Sequence, residues 1–390
     1  METIAVIFGG RSAEHDVSII TAIASIIKPL ELTKKYRIEP IYIAKNGAWY
    51  SDQRLKDIEI YSKGTINELI DRLSPISLQL DGGLKLIKAS GIAGRKQHIK
   101  IDLVFPAMHG TYGEDGSLMG LLEMAGVPYV GCNVAASAVA MDKLLAKQLV
   151  SENDIPVTKY IYTTKAELEH EPSQVIKKIK QNLNYPLFIK PVHLGSSIGI
   201  TRAKDDQELA NGLEVAAHYD NRVLIEEEVA NLIEVTLPII GNDHPIPALL
   251  EQPLTKSEDF FDFDTKYMLG GKKGKGKGGI GAKGSQGYSQ IPANLDKDLY
   301  QKAEAIGLNV YKSLGLSGIA RVDMLIDSKT KIVYFNEINP LPGGLYSHNW
   351  NKAGVSNVEL VQKLISYAKE RFSENQSLTT SFNTNYLRQF

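Results

Sequence analysis

Through the first third of the chain, short apolar runs alternate with segments of helical periodicity, and this alternation restricts the fold more than any other feature. Residues 4–8, 38–43 and 101–105 are apolar runs of strand length, whereas residues 17–27 repeat apolar side chains at helical spacing. Strand and helix in turn build a parallel sheet covered by helices. At 390 residues the chain exceeds what one hydrophobic core usually organises, so two or three α/β units are expected. A long helix at 135–151 opens a second, small α/β unit, with a strand at 159–163, a helix at 165–182, a strand at 186–191, a glycine-rich turn and a helix at 205–218. From residue 222 onward β-rich runs dominate, at 223–227, 233–240, 319–327 and 331–336, and mark a third unit. The boundaries read this way are 1–134 for an N-terminal Rossmann-like unit, 135–221 for the central unit, 222–373 for the C-terminal unit and 374–390 for a polar tail. Residues 45–100 carry mixed charge and no readable order.

Lys plus Arg total 44 and Asp plus Glu 45, so the net charge of −1 supplies no global field for nucleic acid or a membrane surface. The single cysteine, Cys132, excludes an internal disulfide and a thiolate zinc cluster, and reads as a small core or loop residue. No stretch approaches the roughly 20 apolar residues of a membrane helix, and the opening residues read as a first strand rather than a signal peptide. A cytoplasmic location is the expectation. Residues 269–287 consist almost entirely of Gly, Lys, Ala and Ser, a composition that cannot bury a core and suits a cationic lid over phosphates, within a loop spanning 266–290.

Two sequence stretches near the C-terminus carry the strongest chemistry: Arg321-Val322-Asp323 and Asn336-Glu337-Ile338-Asn339. Residues two apart on a strand face the same side, so Arg321 accompanies Asp323 and Glu337 accompanies Asn339. On neighbouring strands, three oxygen donors would converge beside one guanidinium, a set suited to Mg²⁺ and to charge developing on a phosphoryl group or oxyanion. A solvated sheet face with an ordinary salt bridge is the plain alternative. Lys190 ends a strand just before Gly195-Ser196-Ser197-Ile198-Gly199, where an ammonium, backbone N–H groups and hydroxyls suit nucleotide phosphates. The same five residues match the G-x-S-x-G elbow of serine hydrolases, but a strand rather than a helix is expected to follow, which disfavours Ser197 as a nucleophile. Gly271 to Lys277 nearly match a P-loop, yet Gly278 replaces the required hydroxyl residue and no apolar strand precedes it. At the N-terminus, Glu14 follows the first strand and a glycine pair, and His109 follows the strand at 101–105; both fall where open α/β sheets bind ligands. Each alone has a structural alternative, Glu14 as a helix N-terminal charge and His109 as a loop histidine.

In order along the chain, residues 8–18, 109–116, Met141-Asp142-Lys143, Lys190-Pro191 with Gly195-Ser196-Ser197, residues 263–267, Arg321-Val322-Asp323, and Asn336-Glu337-Ile338-Asn339 with Pro342-Gly343 resemble the D-alanine–D-alanine ligases. The resemblance covers most of residues 4–367. It implies an ATP-grasp fold of three α/β domains, with ATP and Mg²⁺ (Mn²⁺ as a substitute) held between the second and third. It also implies phosphorylation of a first D-alanine's carboxylate and attack on that acylphosphate by a second D-alanine, in peptidoglycan precursor synthesis. By motif position, Lys143 and Lys190 would contact phosphates, with Ser196 and Lys266 also at the nucleotide, while Glu226, Glu227 and Glu234 would hold adenine and ribose. Asp323, Glu337 and Asn339 would bind Mg²⁺. Glu14 would hold the first substrate's ammonium group, with His109 near its carboxylate, and Arg321 and the Gly343 N–H would face the oxyanion. Ser197, Tyr267 and Glu14 would form a hydrogen-bonded link closing the site, and the family's usual assembly is a homodimer.

Three departures from the family pattern stand out: a longer, Gly- and Lys-rich lid, Pro340 after Asn339, and the stretch Tyr346-Ser347-His348-Asn349 where the second substrate's carboxylate is usually met. His348 and Asn349 are accordingly the expected acceptor contacts. A ligase of the same class with a different amine or hydroxy-acid acceptor, a serine hydrolase and an inactive nucleotide-binding protein are the competing expectations. The intact Asp323, Glu337 and Asn339 set disfavours the inactive one.

Overall fold

The computed structural model describes residues 1–90, 95–254, 289–380 and 384–390. Its first unit contains β1 (Glu2–Gly9), β2 (Tyr36–Ile43), β3 (Trp49–Tyr50), β4 (Ser77–Leu80), β5 (Leu84–Ser90), β6 (Arg95–Ile101) and β7 (Leu103–Pro106). β1 is buried along nearly its whole length, as befits an apolar strand covered on both faces. It runs parallel to β2 and β7 in a sheet of order β3-β2-β1-β7. The apolar run at 101–105 is two strands rather than one. Asp102 separates them because its carboxylate accepts the Thr3 N–H at 2.9 Å, so β6 ends in an antiparallel β4-β5-β6 meander while β7 joins β1. That meander and two short helices, Ile58–Ser62 and Ile66–Ile70, supply the order that residues 45–100 do not show in their sequence.

The helix after β1 runs from His15–Ile20 through a π-helical stretch, Thr21–Ile27, into Lys28–Thr33. Single π segments inside helices tend to mark functional sites because they reorient the side chains they carry. The helix expected at 135–151 breaks at Asp142, whose extended backbone ends Val134–Met141 and whose carboxylate caps Lys143–Ser151 through the Leu145 N–H at 2.9 Å. The break makes Lys143 the first residue of the second helix.

The middle unit holds β8 (Tyr160–Thr164), β9 (Leu187–Pro191), β10 (Thr201–Ala203) and β11 (Arg222–Glu227), in the antiparallel order β10-β9-β11-β8. β11 therefore belongs to this sheet, which corrects the boundary at residue 222. Its apolar pattern resembles that of the following strands, and only its pairing partners distinguish it. The helical span 165–182 divides into Lys165–His170 and Pro172–Asn182, since Pro172 cannot donate a helical hydrogen bond.

The third unit contains β12 (Leu232–Gly241), β13 (Ile246–Pro247), β14 (Gln252–Pro253), β15 (Ser289–Gln290), β16 (Gly318–Asp327) and β17 (Ile332–Asn339). The order β13-β12-β16-β17 forms its main sheet, and the helix Lys297–Ser313 packs on the apolar face. Helix Asn357–Gln376 returns to the first unit, where Leu360 and Leu364 share a core with Ile4, Phe8, Ile23 and Trp350. The first and third units thus share one core, to which β16 contributes Ile319.

Candidate functional site

From Ala320 onward β16 alternates: Ala320, Val322, Met324 and Ile326 are buried, and Arg321 and Asp323 face the other side. In β17 the alternation changes phase. Val333 and Phe335 are buried, then Asn336 and Glu337 are both partly exposed, then Ile338 is buried. The cause is a register shift, with Asp323 opposite Glu337 but Met324 opposite Phe335, so Asn336 is the extra residue of a bulge. The bulge turns Glu337 and Asn339 away from the core and onto the face of Arg321 and Asp323. Arg321 lies opposite Asn339 and Asp323 opposite Glu337, as same-face spacing on neighbouring strands predicts. The Arg321 guanidinium grips the Asp323 carboxylate through two bonds, 2.6 Å from Nε and 2.5 Å from Nη2. Asn339 donates to Asp323 at 3.3 Å. Two carboxylates and one amide oxygen on a single face are a donor set that fits a hard divalent cation.

Lysines approach this face from the middle unit. Lys143, at the start of its helix, donates to the Leu194 carbonyl at 2.5 Å and lies 3.5 Å from Glu337 Oε2. Lys190, at the end of β9, donates to the bulge residue Asn336 at 3.1 Å and pairs with Glu226 Oε2. Glu226 is 2% exposed and meets a second cation, Lys147, at 2.6 Å. Burial alone would raise the Glu226 carboxyl pKa, but the charges of Lys147 and Lys190 hold it well below the usual range. No motif marks Lys147; the one signal for it is its place four residues after Lys143, on the same helical face. The acidic residues expected around adenosine are dispersed: Glu226 is committed to the two lysines, Glu227 accepts from Asn184 at 2.9 and 3.0 Å, and Glu234 is exposed at the start of β12.

The N-terminal residues close the other side. Gly9 adopts φ +87°, and a Cβ there would stand 2.3 Å from the Ile43 carbonyl, so this turn admits only glycine. Beyond it, Glu14 receives a hydrogen bond from Ser196 Oγ. Gly110 and Gly195 lie so close to Glu14 that added Cβ atoms would stand 2.9 and 3.3 Å from its Oε2. The link between the first and middle units therefore runs through Ser196 rather than Ser197, which corrects the assignment of these two serines. Both adopt left-handed φ, +53° and +59°, and the first hydroxyl of that turn is the one that reaches Glu14. His109 is 3% exposed, with Nε2 2.9 Å from Thr21 Oγ1 and Nδ1 3.9 Å from Glu114. Burial opposes protonation of its imidazole, but the Glu114 and Glu14 carboxylates outweigh it and raise the pKa. Thr21, the first residue of the π stretch, also accepts the Gly344 N–H at 2.9 Å.

A single cleft collects Glu14, His109, Ser196, Arg321, Glu337, Asn339 and Gly343, together with Glu114 and Leu341, for which the sequence suggests no role. Next to it, Gly344, Leu345 and Tyr346 hold positive φ in succession, +62°, +53° and +52°. Two non-glycine residues in that region store strain of a kind that concentrates at functional sites. Tyr346 lies beneath the Arg321 guanidinium, 5.2 Å from ring centroid to Cζ, and 4.7 Å from the His348 ring. His348 Nε2 is 2.9 Å from Glu251 Oε2. Asn349 is 0% exposed and spends its amide on Leu249 N, Leu249 O and Glu251. It is saturated within the protein, so the expectation that it meets a substrate is not sustained. Lys266, Tyr267 and the lid at 266–290 lie outside the described residues, except for the last two lid residues in β15. Among the described residues, no helix is long and apolar enough to cross a membrane.

The family model of the D-ala D-ala ligase N-terminus matches residues 3–132, and that of the D-ala D-ala ligase C-terminus matches residues 149–366. A D-alanine–D-alanine ligase of Acetivibrio thermocellus is 37% identical over 381 residues, spanning 95% of this chain and 96% of that protein. One from Geobacillus thermodenitrificans is 35% identical over 387 residues, spanning 97% and 98%. Among solved structures, the VanG D-Ala:D-Ser ligase from Enterococcus faecalis superimposes with a TM-score of 0.76 at 35% identity, over 94% of this chain and 99% of that one. The D-alanine–D-alanine ligase from Coxiella burnetii does so with a TM-score of 0.75 at 27% identity, over 96% and 97%.

Proposed function

The chain belongs to the D-alanine–D-alanine ligase family, and from that premise we propose that it spends one ATP to join two D-alanines. The observation that carries this reading is the cross-strand set of Arg321, Asp323, Glu337 and Asn339, of which Arg321, Glu337 and Asn339 line one cleft with Glu14 and His109. Asp323, Glu337 and Asn339 would hold Mg²⁺, which supplies charge neutralisation between the terminal phosphates of ATP. Lys143 and Lys190 lie where they can meet phosphate oxygens, and Glu227 and Glu234 remain the candidates for the adenosine end. Glu14 would bind the ammonium group of the first D-alanine.

In the first step a carboxylate oxygen of that D-alanine bonds to the γ-phosphorus while the bond from phosphorus to the ADP oxygen breaks. In the second, the ammonium group of the other D-alanine gives one proton to solvent and the resulting amine bonds to the acyl carbon, its second proton later leaving with the phosphate. The tetrahedral oxyanion so formed would face Arg321 and the Gly343 N–H, and it collapses by expelling phosphate. Water must be kept from the acylphosphate, a task suited to a closed cleft. Phosphate release from ATP across D- and L-amino acids tests the reading. Release that depends on D-alanine and yields a D-dipeptide supports it, whereas release indifferent to the amino acid overturns it.

One observation favours a second reading of the acceptor. His348 is pinned by Glu251 beside Tyr346, a polar wall rather than an apolar one, and the structural relatives include a D-Ala:D-Ser ligase. With Nε2 committed to Glu251, Nδ1 is the atom proposed to address the acceptor, which extends the acceptor range towards D-serine or a hydroxy acid. A homodimer is the proposed assembly, by analogy with the family.

A further inference from the structure

Lys147 has no part in the two chemical steps, yet it is one of the most deeply buried charges in the protein. Its side chain is 1% exposed. Its ammonium group lies 2.6 Å from Glu226 Oε1, 3.3 Å from the Phe335 carbonyl and 3.4 Å from Thr158 Oγ1. Thr158 in turn donates to Glu226 Oε1 at 2.9 Å. Three elements meet at this ammonium: the capped helix Lys143–Ser151, β11 through Glu226, and β17 through the residue just before the bulge. Such an arrangement is costly for a fold to keep, because a buried ion pair repays its desolvation only with full hydrogen bonding.

The division of the Glu226 carboxylate suggests why it is kept. One oxygen belongs to Lys147 and Thr158, and the other to Lys190. Lys190 reaches towards the polar face from β9 with two of its three N–H donors already given to that oxygen and to Asn336 Oδ1, so a phosphate draws on the same ammonium charge that neutralises Glu226. If Lys190 were its only cation, each nucleotide that drew on Lys190 would leave a buried carboxylate poorly neutralised, which disfavours binding.

We propose that Lys147 is a positioning residue that keeps Glu226 neutralised, so that Lys190 is released to the phosphates of ATP. The inference rests on the reading of Lys190 as a phosphate ligand. It assigns Lys147 no contact with ATP and makes its effect run wholly through Glu226. Removing Lys147 alone leaves Lys190 as the one cation on a buried carboxylate that otherwise keeps only the Thr158 hydroxyl. Removing the carboxylate's charge as well makes Lys147 dispensable.

The test is direct titration of the whole protein with ATP and Mg²⁺, giving Kd for the parent, Lys147→Met, Lys147→Arg, Glu226→Gln, the double variant Lys147→Met with Glu226→Gln, and Lys190→Met. Lys147→Met is expected to weaken ATP at least tenfold while the KM for D-alanine stays within twofold, and Lys147→Arg is expected to retain most of the affinity. The double variant should match Glu226→Gln within twofold, a recovery that loss of packing cannot produce. Should Lys147→Met fail to fold, the comparison of the double variant with Glu226→Gln still decides: a further loss of ATP affinity overturns the proposal. Parent-like binding by Lys147→Met alongside a defective Lys190→Met overturns it alone. Unchanged binding by Lys190→Met removes the phosphate reading, and the proposal with it.

Discussion

At the residue scale, the site depends on which side of a strand each carboxylate faces. Glu337 reaches the polar face only because Asn336 is extruded as a bulge, and it lies opposite Asp323 with Lys143 3.5 Å away. Glu337→Gln keeps the shape and one oxygen but loses the negative charge. Turnover at saturating Mg²⁺ is expected to fall on the order of 100-fold, about 2.7 kcal/mol in the barrier, with the melting temperature unchanged. Parent-like turnover would move the metal elsewhere. His348→Ala removes the proposed acceptor contact while Asn349 still satisfies Glu251. The KM of the acceptor is expected to rise roughly tenfold, the value of a hydrogen bond to a charged group, with those of ATP and the donor within twofold. Equal changes in all three constants would show that His348 serves the fold. Same-face spacing on a strand makes Arg321, Asp323, Glu337 and Asn339 legible in the amino-acid sequence alone. Asn349 is easily misread there, because its polarity looks the same whether it meets a substrate or saturates a neighbouring strand. Lys147 stays hidden because a lysine on a helix ordinarily points to water.

At the element scale, the helix break at Asp142 is the least obvious construction. The Asp142 carboxylate caps Lys143–Ser151, receives Arg222 at 2.5 Å and lies 3.4 Å from His193, which also meets Asp220 at 2.9 Å. Hydrogen bonds to Asp142 and then Asp220 raise the His193 pKa from 6.5 to about 9, against the opposing effect of burial. A histidine raised in the folded state stabilises it fully below pH 6.5 and loses that contribution as pH climbs through about 9. Melting temperature followed from about pH 6 to about pH 9.5 should therefore fall further for the parent than for His193→Asn. Parallel curves would show that the imidazole is not charged in the fold. Because the side chain is 45% exposed, solvent screening keeps the difference modest. Sequence periodicity predicts one helix here, since residues on both sides of Asp142 are good helix formers. The cap decides the break, and it is visible only once Asp142, Arg222 and His193 are seen together.

At the scale of the whole molecule, the α/β character and the order of the units are legible in the sequence because short apolar runs and amphipathic helices are local signals. The partners of the strands are not. β11 looks like the strands that follow it, yet pairs with β9 and β8, and the helix Asn357–Gln376 completes a core begun by β1. Such contacts join residues far apart in the chain, and no spacing rule reports them. They also bring Glu14, Ser196 and Arg321, one from each unit, to a single cleft. On the proposed mechanism this cleft phosphorylates a carboxylate before it makes a peptide bond. D-alanine labelled with ¹⁸O in both carboxylate oxygens tests it most directly, through the mass of the phosphate released from unlabelled ATP and Mg²⁺. One ¹⁸O atom is expected in each phosphate, with one retained in the peptide carbonyl. Phosphate free of label would mean that water, not the carboxylate, receives the phosphoryl group, and would rule out the acylphosphate route.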